Sequence, residues 1–364
     1  IEVLQTRRFD YRGRSYPLSP SAIEQILREL STLGLGDGLL PANERLYAKL
    51  AFGITVTEFM ADGRKHQPTI HVIDWTDPSA NRFDVTEEPC FLSSRGTHEC
   101  APDIVGYVNG IPLVVIEAKP PQGRHGGNEA DAMVREGISR QLRNQRDDEI
   151  PDLFAYAQLL VSLSRTGGRY GTTQTPPRFW AEWNKEEEFD DARIEALKNT
   201  PLPAATRAAL FEGKPAAVRE GFESSASLPM PPNGLDRLLV SLLTPQRLID
   251  LLRGFVLFDS RVGKIIARHQ QFFGVRALLR RLAGQRADGG REGGVIWHTT
   301  GSGKSFTMVF LAKALLLNEG LKECGLVVIT DRRDLEQQLA RNFMAGGAFG
   351  SSLAAHKEGE HSKA

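Results

Sequence analysis

Two carboxylates and a lysine lie close together in one stretch of the chain, and their types and spacing suit metal-dependent chemistry on a phosphate ester. Asp103 precedes an apolar segment, and Glu117 and Lys119 follow a second one. Side chains repeat every second residue along a strand, so Glu117 and Lys119 face the same way. Carboxylate oxygens are ligands that Mg²⁺ prefers, and a lysine beside them can orient water or stabilise developing negative charge.

The turn between the two apolar segments decides whether Asp103 joins this face. A three-residue turn that ends at Gly110 in the left-handed conformation would pair Asp103 with Val115, diagonally beside Glu117. A two-residue Asn-Gly turn would instead send the two carboxylates to opposite faces. The same pattern also occurs by chance in ordinary sheets. An apolar strand that runs into charged residues favours the metal site, because buried unpaired charge is costly.

A second cluster of chemistry-bearing residues lies in segment 298–305, which reads His-Thr-Thr-Gly-Ser-Gly-Lys-Ser between an apolar segment and a helical one. Glycines let backbone N–H groups turn towards phosphates, and a helix N-terminus adds its positive dipole end. This predicts an ATP site in which Lys304 reaches the β- and γ-phosphates and Ser305 binds Mg²⁺. The alternative is a glycine-rich turn with a solvent-facing lysine, and His298 stands where the general pattern has glycine. The residues predicted to bind ATP here are Thr300, Gly301, Ser302, Gly303, Lys304 and Ser305.

The elements that must position the carboxylates form a mixed α/β domain. Helical spacing after Asn43, taken as an N-cap, predicts a first helix. Period-two segments predict strands, and a later helix and an apolar element follow them. Between about Arg165 and Pro232 the pattern breaks down, which we interpret as surface excursions and a connecting region. The predicted strands are 54–59, 69–74, 103–108 and 112–119, the later helix is 131–146, and the apolar element is 153–164.

The elements around the phosphate loop predict a βαβ unit of a parallel sheet. Helices are expected at 248–255 and 263–282, and buried strands at 295–297 and 326–330 flank a helix at 304–317. Arginines 276, 280, 281, 286 and 291 form the most basic local run, which suits either phosphate contacts or a solvated helix face.

Bulk composition narrows the class of protein. The 364 residues exceed what one hydrophobic core usually supports, so two domains, or one and part of another, are expected. The 45 basic and 45 acidic residues cancel, so DNA contacts must come from a local patch. Three cysteines without a C-x-x-C pair argue against a disulfide framework or structural zinc. No apolar window suits a membrane span, and a cytoplasmic location is expected.

Asp103, Glu117 and Lys119 match the PD-(x)-ExK signature, and the segment from Pro102 to Lys119 resembles nucleases with a restriction-endonuclease core. That resemblance implies Mg²⁺ bound by Asp103 and Glu117. It also suggests Glu44 as a further metal ligand, with a solvated helix glutamate as the alternative. Gln141 stands at the place of the family's Gln-x-x-x-Tyr helix motif, although the tyrosine is absent here.

Thr-Gly-Ser-Gly-Lys-Ser is the phosphate-loop form usual in superfamily 2 helicases and translocases, which segment 300–305 resembles. Gln271 resembles the adenine-reading glutamine of that superfamily, with an exposed helix glutamine as the alternative. Residues 327–335 resemble the strand and loop that hold one DNA strand in such motors, or they form a polar turn at a strand end. Between the phosphate loop and Ala364 there is no Asp-Glu pair that could hold Mg²⁺ and position the attacking water. The motor portion is therefore expected to be incomplete.

Taken in order, these motifs are similar to the restriction (motor) subunit of type I restriction enzymes. The implied fold is a restriction-endonuclease-like (PD-ExK) mixed-sheet nuclease domain at 1–240, with a core at about 40–165, followed by the start of a RecA-like parallel α/β helicase domain at 241–364. The implied activity is ATP-driven translocation of duplex DNA coupled to cleavage far from the recognition site. Modification (methyltransferase) and specificity subunits are the implied partners.

Two other functions remain open at this point. The chain also suits a nuclease-fused helicase of another repair or phage-defence system. It further suits a non-catalytic DNA-binding or assembly module in which the nuclease fold is only a scaffold, and intact Asp103, Glu117 and Lys119 argue against that function.

Overall fold

The fold was analysed in a computed structural model that describes residues 1–119, 128–183, 187–226, 229–259, 261–299, 301–318, 320–321 and 325–329. The helices are α1 (Glu2–Thr6), α2 (Pro20–Ser31), α3 (Leu39–Phe52), α4 (Asn128–Asn144), α5 (Pro151–Tyr156), α6 (Asp191–Lys198), α7 (Ala204–Leu210), α8 (Ala216–Ala226), α9 (Gly234–Leu243), α10 (Pro245–Gly254), α11 (His269–Ala283) and α12 (Lys304–Leu317). The strands are β1 (Arg8–Tyr11), β2 (Arg14–Pro17), β3 (Ile54–Thr55), β4 (Glu58–Phe59), β5 (Lys65–His66), β6 (Thr69–Ile70), β7 (Phe83–Glu87), β8 (Phe91–Leu92), β9 (Glu99–Cys100), β10 (Ile104–Val108), β11 (Ile111–Ala118), β12 (Leu159–Ser164), β13 (Gly167–Gly171), β14 (Val256–Asp259) and β15 (Gly263–Ile266).

A five-stranded mixed sheet organises the first half of the chain, in the order β13-β12-β11-β10-β7. Only β11 and β12 pair in parallel, because α4 and α5 carry the chain back over one face between them. Apolar residues line both faces of β11: Val115 packs with α4, and Ile116 packs into the larger core on the other face. The predicted mixed α/β architecture is confirmed.

The turn between β10 and β11 differs from the predicted one. It has two residues, Asn109 and Gly110, both with positive φ, and Val108 pairs with Ile111. By itself this turn would place Asp103 and Glu117 on opposite faces. The register then shifts between Gly106 and Tyr107, so the remaining pairs, ending at Ile104 and Ile116, place Asp103 opposite Glu117. The predicted pairing with Val115 is wrong by two residues, and the bulge restores the shared face.

Helix α3 begins at Leu39, so the prediction of Asn43 as its N-cap is wrong. The apolar face extends one turn further towards the N-terminus, because Leu39 and Ala42 are already buried in the core beside the sheet. Asn43 is fully buried instead. Its Nδ2 lies 2.8 to 3.0 Å from three backbone carbonyl oxygens of segment 154–157, and its Oδ1 accepts a hydrogen bond from Lys264 at 2.8 Å.

Part of the segment interpreted as surface excursions is regular structure, which corrects the prediction for 165–232. Strand β13 closes one edge of the central sheet, and helices α6, α7 and α8 follow it. Its glycines predicted a loop, but two of the three serve close packing. A Cβ at Gly168 would lie 2.4 Å from the Ser162 carbonyl oxygen, and a Cβ at Gly171 would lie 3.0 Å from the Trp180 ring. The helix predicted over 263–282 is confirmed from His269 onward as α11, but its first part is strand β15, which begins at Gly263 in the left-handed region.

The phosphate-loop region forms its predicted helix but neither predicted strand. Helix α12 covers 304–317 as expected. Val295 and Trp297 are 93% and 88% exposed, and residues 326–329 are unpaired, while Thr330 and all later residues lie outside the described part. In the part of 241–329 that the structure describes, the only paired strands, β14 and β15, are antiparallel. The predicted RecA-like parallel sheet is therefore not formed there, because a strand needs a neighbour for its backbone hydrogen bonds.

The larger core joins the sheet to the C-terminal helices. Lys313 of α12 is buried and donates to the Tyr47 hydroxyl at 2.6 Å and to the Val256 carbonyl at 2.7 Å. Tyr47, on α3, donates in turn to the Leu252 carbonyl at 2.9 Å. Burial lowers the pKa of Lys313 to about 7.

The division of the chain into domains at 240/241 stays a prediction. Among the described residues no helix is long and apolar enough to cross a membrane.

Candidate functional site

The two predicted carboxylates meet at the end of the β10–β11 hairpin. Asp103 Oδ2 accepts a hydrogen bond from the Ala118 backbone N–H at 2.7 Å, which fixes the aspartate against the neighbouring strand. Arg140 of α4 bridges the pair, with Nη1 3.2 Å from Asp103 Oδ1 and 3.1 Å from Glu117 Oε2. The structure therefore brings Asp103 and Glu117 together, as the spacing predicted.

Glu117 is the most constrained member of the pair. Its side chain is 0% exposed, and neither carboxylate oxygen accepts a hydrogen bond of good geometry. Burial, together with the Asp103 charge, raises the pKa of Glu117 to about 8, against the opposing effects of Arg140 and Lys119. A buried carboxylate with orphaned oxygens is costly unless a cation or proton satisfies it.

Lys119 lies one residue beyond β11, on the face that Glu117 uses. Its backbone N–H donates to the Leu163 carbonyl at 3.0 Å, which extends the parallel pairing past Ala118. Its Nζ lies 3.7 Å from Glu136 Oε1 of α4, and its side chain is 13% exposed. The ammonium is thus paired with Glu136, lies near enough to Glu117 to lower the pKa of that carboxyl, and retains a path to solvent.

Close packing of α4 on the sheet sets these distances. A Cβ at Gly137 would lie 2.2 Å from Ser162 Oγ and 3.3 Å from Glu117 Cβ, so only glycine lets the helix approach this closely. Gln141, four residues further on, is fully buried and donates to the Val161 carbonyl at 2.7 Å. Its Oε1 has no hydrogen-bond partner in the described part of the structure.

Arg140 is a site residue that the sequence reasoning missed. It lies three residues after Gly137, and residues at this spacing share one face of a helix. That spacing on the predicted helix, next to the predicted site residue Gln141, is the signal that could have identified Arg140. Its Nη2 also donates to the Ala101 carbonyl at 2.7 Å, which holds the segment leading into Asp103.

The donors at this site fit Mg²⁺. Asp103 and Glu117 supply hard carboxylate oxygens, and the buried Glu117 carboxylate, which accepts no hydrogen bond and pairs only with Arg140 among the contacts described, is the specific feature that a cation would satisfy. Glu44 does not complete a three-carboxylate cluster: it is exposed on α3, and its oxygens do not lie within 4.8 Å of those of both Asp103 and Glu117. Its role as a ligand stays a prediction.

The phosphate loop begins α12 as predicted. Gly301 and Gly303 have φ of 80° and 84°, which favours glycine, and Ser302 Oγ donates to the Thr299 carbonyl at 2.7 Å. Lys304 is exposed at the first position of the helix, followed by the partly buried Ser305. Thr300 lies outside the described residues.

Gln271 reaches this loop directly. Its Nε2 donates to the Gly303 carbonyl at 3.0 Å, and its Oε1 accepts from the Arg268 backbone N–H at 2.9 Å. It lines a cavity of about 220 Å³ together with Gly301 and, from the first half of the chain, Phe179. The alternative of an exposed helix glutamine is wrong, because Gln271 is 4% exposed.

Most of the basic run on and after α11 is already paired within the chain. Arg276 bonds Glu188 and Asp250, and Arg280 lies 3.4 Å from Glu188. Arg286 pairs with Asp288 at 2.7 Å. This pairing favours a solvated ion-paired face over a bare phosphate-binding patch.

Comparison with known proteins finds matches to two family models along the chain. Residues 2–179 match the type I restriction enzyme R protein N terminus, and residues 270–362 match the SWI2/SNF2 ATPase family. The first match includes Asp103, Glu117 and Lys119, and the second includes the phosphate loop.

Curated relatives agree with the first family. The chain is 31% identical over 338 residues, 90% of its length, to the type I restriction enzyme HindI endonuclease subunit of Haemophilus influenzae. It is 30% identical over 305 residues, 82% of its length, to the provisionally named MjaIXP endonuclease subunit of Methanocaldococcus jannaschii. The chain spans only 27% and 26% of the lengths of these two relatives. Together with the order of its motifs, this shows that the chain belongs to the type I restriction enzyme R-protein family and corresponds to the N-terminal part of such a subunit.

Proposed function

We propose that this chain carries the Mg²⁺-dependent DNA-cleaving site of a type I restriction subunit and the ATP-binding loop of its motor. The observation that carries the proposal is the juxtaposition of Asp103 and Glu117 around Arg140, with Lys119 on the same face. In the complete subunit the motor would pull duplex DNA and the nuclease would cut it far from the recognition site. Modification and specificity subunits are the proposed partners.

Each residue at the nuclease site has a proposed part in phosphodiester hydrolysis. Asp103 and Glu117 would hold the cation, and Glu44 and the Ala118 carbonyl are further candidate ligands. Bound there, Mg²⁺ polarises the scissile phosphate and lowers the pKa of a water ligand. Lys119 would orient the attacking water or stabilise the charge that develops on the phosphate, and the part of Gln141 would be to position the helix beside it.

Arg140 would have to share the carboxylates with the cation. Its guanidinium offsets one of the two negative charges in the cation-free site, where adjacent carboxylates would otherwise repel each other more strongly. Its third contact, to the Ala101 carbonyl, would remain when the cation binds.

At the motor site, Lys304 would neutralise the β- and γ-phosphates of ATP, and Ser305 would bind the accompanying Mg²⁺. The backbone N–H groups of the loop from Thr300 to Gly303 would surround the phosphates. Gln271, held between Arg268 and Gly303, would read the adenine edge from the wall of the cavity.

The test is cleavage of circular duplex DNA by the full-length subunit with its modification and specificity partners, measured together with ATP hydrolysis. Lys119→Ala should lower cleavage at least about 100-fold while ATP hydrolysis continues, because it removes a charge at the reacting phosphate only. Lys304→Ala should abolish both activities, because cleavage depends on the motor. Lys65→Ala, an exposed lysine in β5, is the matched control. If the Lys119→Ala enzyme still cuts DNA normally, the nuclease assignment is wrong.

A further inference from the structure

A second group of potential metal ligands lies outside the nuclease and nucleotide sites. His98 and Cys100 belong to the β8–β9 hairpin, and Glu149 precedes α5. One ligand atom from each side chain lies within 4.8 Å of the other two. Glu149 Oε2 is 2.9 Å from His98 Nε2 and 3.2 Å from Cys100 Sγ. The cysteine spacing alone argued against a zinc site, because Glu149 lies 49 residues from Cys100 along the chain.

The backbone holds this group in place. His98 lies in the bend that leads into β9, and Cys100 is the second residue of that strand. The Glu149 carbonyl accepts hydrogen bonds from Ser94 N at 2.7 Å and from Ser94 Oγ at 3.0 Å, which ties the loop before α5 to the hairpin. The three ligands therefore come from two segments that are already docked.

We propose that His98, Cys100 and Glu149 bind one divalent cation of the zinc class, with a fourth position open to water. Imidazole nitrogen, thiolate sulfur and carboxylate oxygen are the donors zinc accepts, at about 2.0 to 2.3 Å. Tetrahedral ligands at such lengths lie roughly 3.3 to 3.8 Å apart. The present separations of 2.9 and 3.2 Å would have to open by only about half an ångström.

Cation binding here requires that the thiol lose its proton. Desolvation and the neighbouring Glu149 raise the pKa of the Cys100 thiol to about 11, so without a cation it stays protonated. On binding, the Cys100 S–H bond breaks, the proton leaves to solvent and an S–metal bond forms. Thiolate selects a zinc-class cation over Mg²⁺, whereas the oxygen-only donors at Asp103 and Glu117 suit Mg²⁺.

The position of this site suggests its effect. Cys100 is followed by Ala101, whose carbonyl accepts a hydrogen bond from Arg140. Asp103 lies three residues after Cys100. A cation that fixes Cys100 would hold the chain that leads into the nuclease carboxylates. The bound cation would therefore stabilise the segment that leads into the reacting centre, and it would share no ligand with that centre.

The experiment titrates the metal-free chain with Co²⁺, a spectroscopic probe for zinc sites, and then displaces it with Zn²⁺. One equivalent should bind, with thiolate-to-cobalt charge-transfer absorption and the strong visible bands of a four-coordinate ion. Cys100→Ser should lose the charge-transfer band. Cys90→Ser, an exposed cysteine near the same hairpin, should keep it and is the matched control.

Two further variants test the other two ligands if Cys100→Ser does not fold. His98→Gln and Glu149→Gln should retain the charge-transfer band but weaken Zn²⁺ binding by roughly tenfold or more, because each removes one ligand. Zn²⁺ should also raise the melting temperature of the wild-type chain and not that of Cys100→Ser. The proposal is overturned if no stoichiometric Co²⁺ or Zn²⁺ binds, or if Cys90→Ser removes the band and Cys100→Ser does not. The three side chains would then only form hydrogen bonds that join the hairpin to the segment before α5.

Discussion

The central sheet and the phosphate-loop region respond differently to the same kind of sequence signal. Both contain short apolar segments that predict buried strands. In the sheet, β11 and β12 pair along their length, and Val115 and Val161 are fully buried. Around the phosphate loop, residues 295–297 remain unpaired and Val295 and Trp297 are exposed, although α12 forms as predicted.

The difference shows that the helix of a βαβ pattern can form from its local sequence, whereas its strands cannot. A helix satisfies its backbone hydrogen bonds within a few residues, so α12 needs only its own sequence and one packing face. A strand has no internal hydrogen bonds and forms only beside a neighbour. The β10–β11 hairpin supplies that neighbour at once, while segment 295–297 has none among the described residues.

The largest expected effect is in amide hydrogen exchange of a polypeptide with these 364 residues. Amides of β11 and β12 should exchange at least about 10⁴-fold more slowly than amides of 295–299, because only the former are paired and buried. The exchange is read residue by residue by NMR or mass spectrometry. Strong protection at 295–299 would show that this segment pairs, and would remove the contrast between the two regions.

The second prediction concerns the buried lysine that joins the two regions. Because burial lowers the pKa of Lys313 to about 7 from an unfolded value of 10.5, the folded chain binds fewer protons than the unfolded chain between these values. Its contribution to the free energy of unfolding is therefore fully present above about pH 10.5 and is lost as pH falls towards 7. Relative to Lys313→Met, the wild-type chain should gain a few kcal/mol in free energy of unfolding as pH rises from about 7 to about 10.5.

Chemical denaturation at several pH values measures this difference. Lys304→Met, at the exposed start of the same helix, is the control and should change stability by less than about 0.5 kcal/mol. A difference between wild type and Lys313→Met that stays flat with pH would contradict the assignment of a buried amine at the junction.

A smaller loss of stability is expected from Asn43→Ala. The change removes an amide that contacts three backbone carbonyls of segment 154–157 and Lys264, so buried groups lose their partners. We expect a cost of about 2 to 4 kcal/mol, measured by urea denaturation. Glu44→Ala, at the next and exposed position of α3, should cost less than about 0.5 kcal/mol. Equal costs for the two variants would disprove the buried network.

The smallest effect concerns the hairpin turn. Gly110 has φ of 80° with no atom within 4 Å of a Cβ, so Gly110→Ala should cost about 1 kcal/mol through backbone strain alone. Gly167→Ala is the control, because that glycine has equally open space and no positive φ, and it should change stability by less than about 0.5 kcal/mol. Thermal unfolding of both variants makes the comparison. A Gly110→Ala chain as stable as Gly167→Ala would rule out the left-handed turn.

Several parts of the fold and site were predictable because their causes are local. The two-residue period puts Glu117 and Lys119 on one face, and the glycines before Lys304 predict the start of α12. The glycine-rich strand β13 was not recognised, since Gly168 is needed for packing on Ser162 rather than for a turn. Such a requirement depends on a neighbour that the local pattern does not contain.

The sequence alone determined the residue types and spacings from which a metal-dependent nuclease and a phosphate loop could be inferred, and the motif order that resembles one family. Tertiary structure decided which groups meet: the bulge beside Gly106 that returns Asp103 to the face of Glu117, the bridge from Arg140, and Glu149 beside Cys100. The physical reason is that periodicity acts over a few residues. Register, close packing and the satisfaction of buried charge depend on residues tens of positions apart.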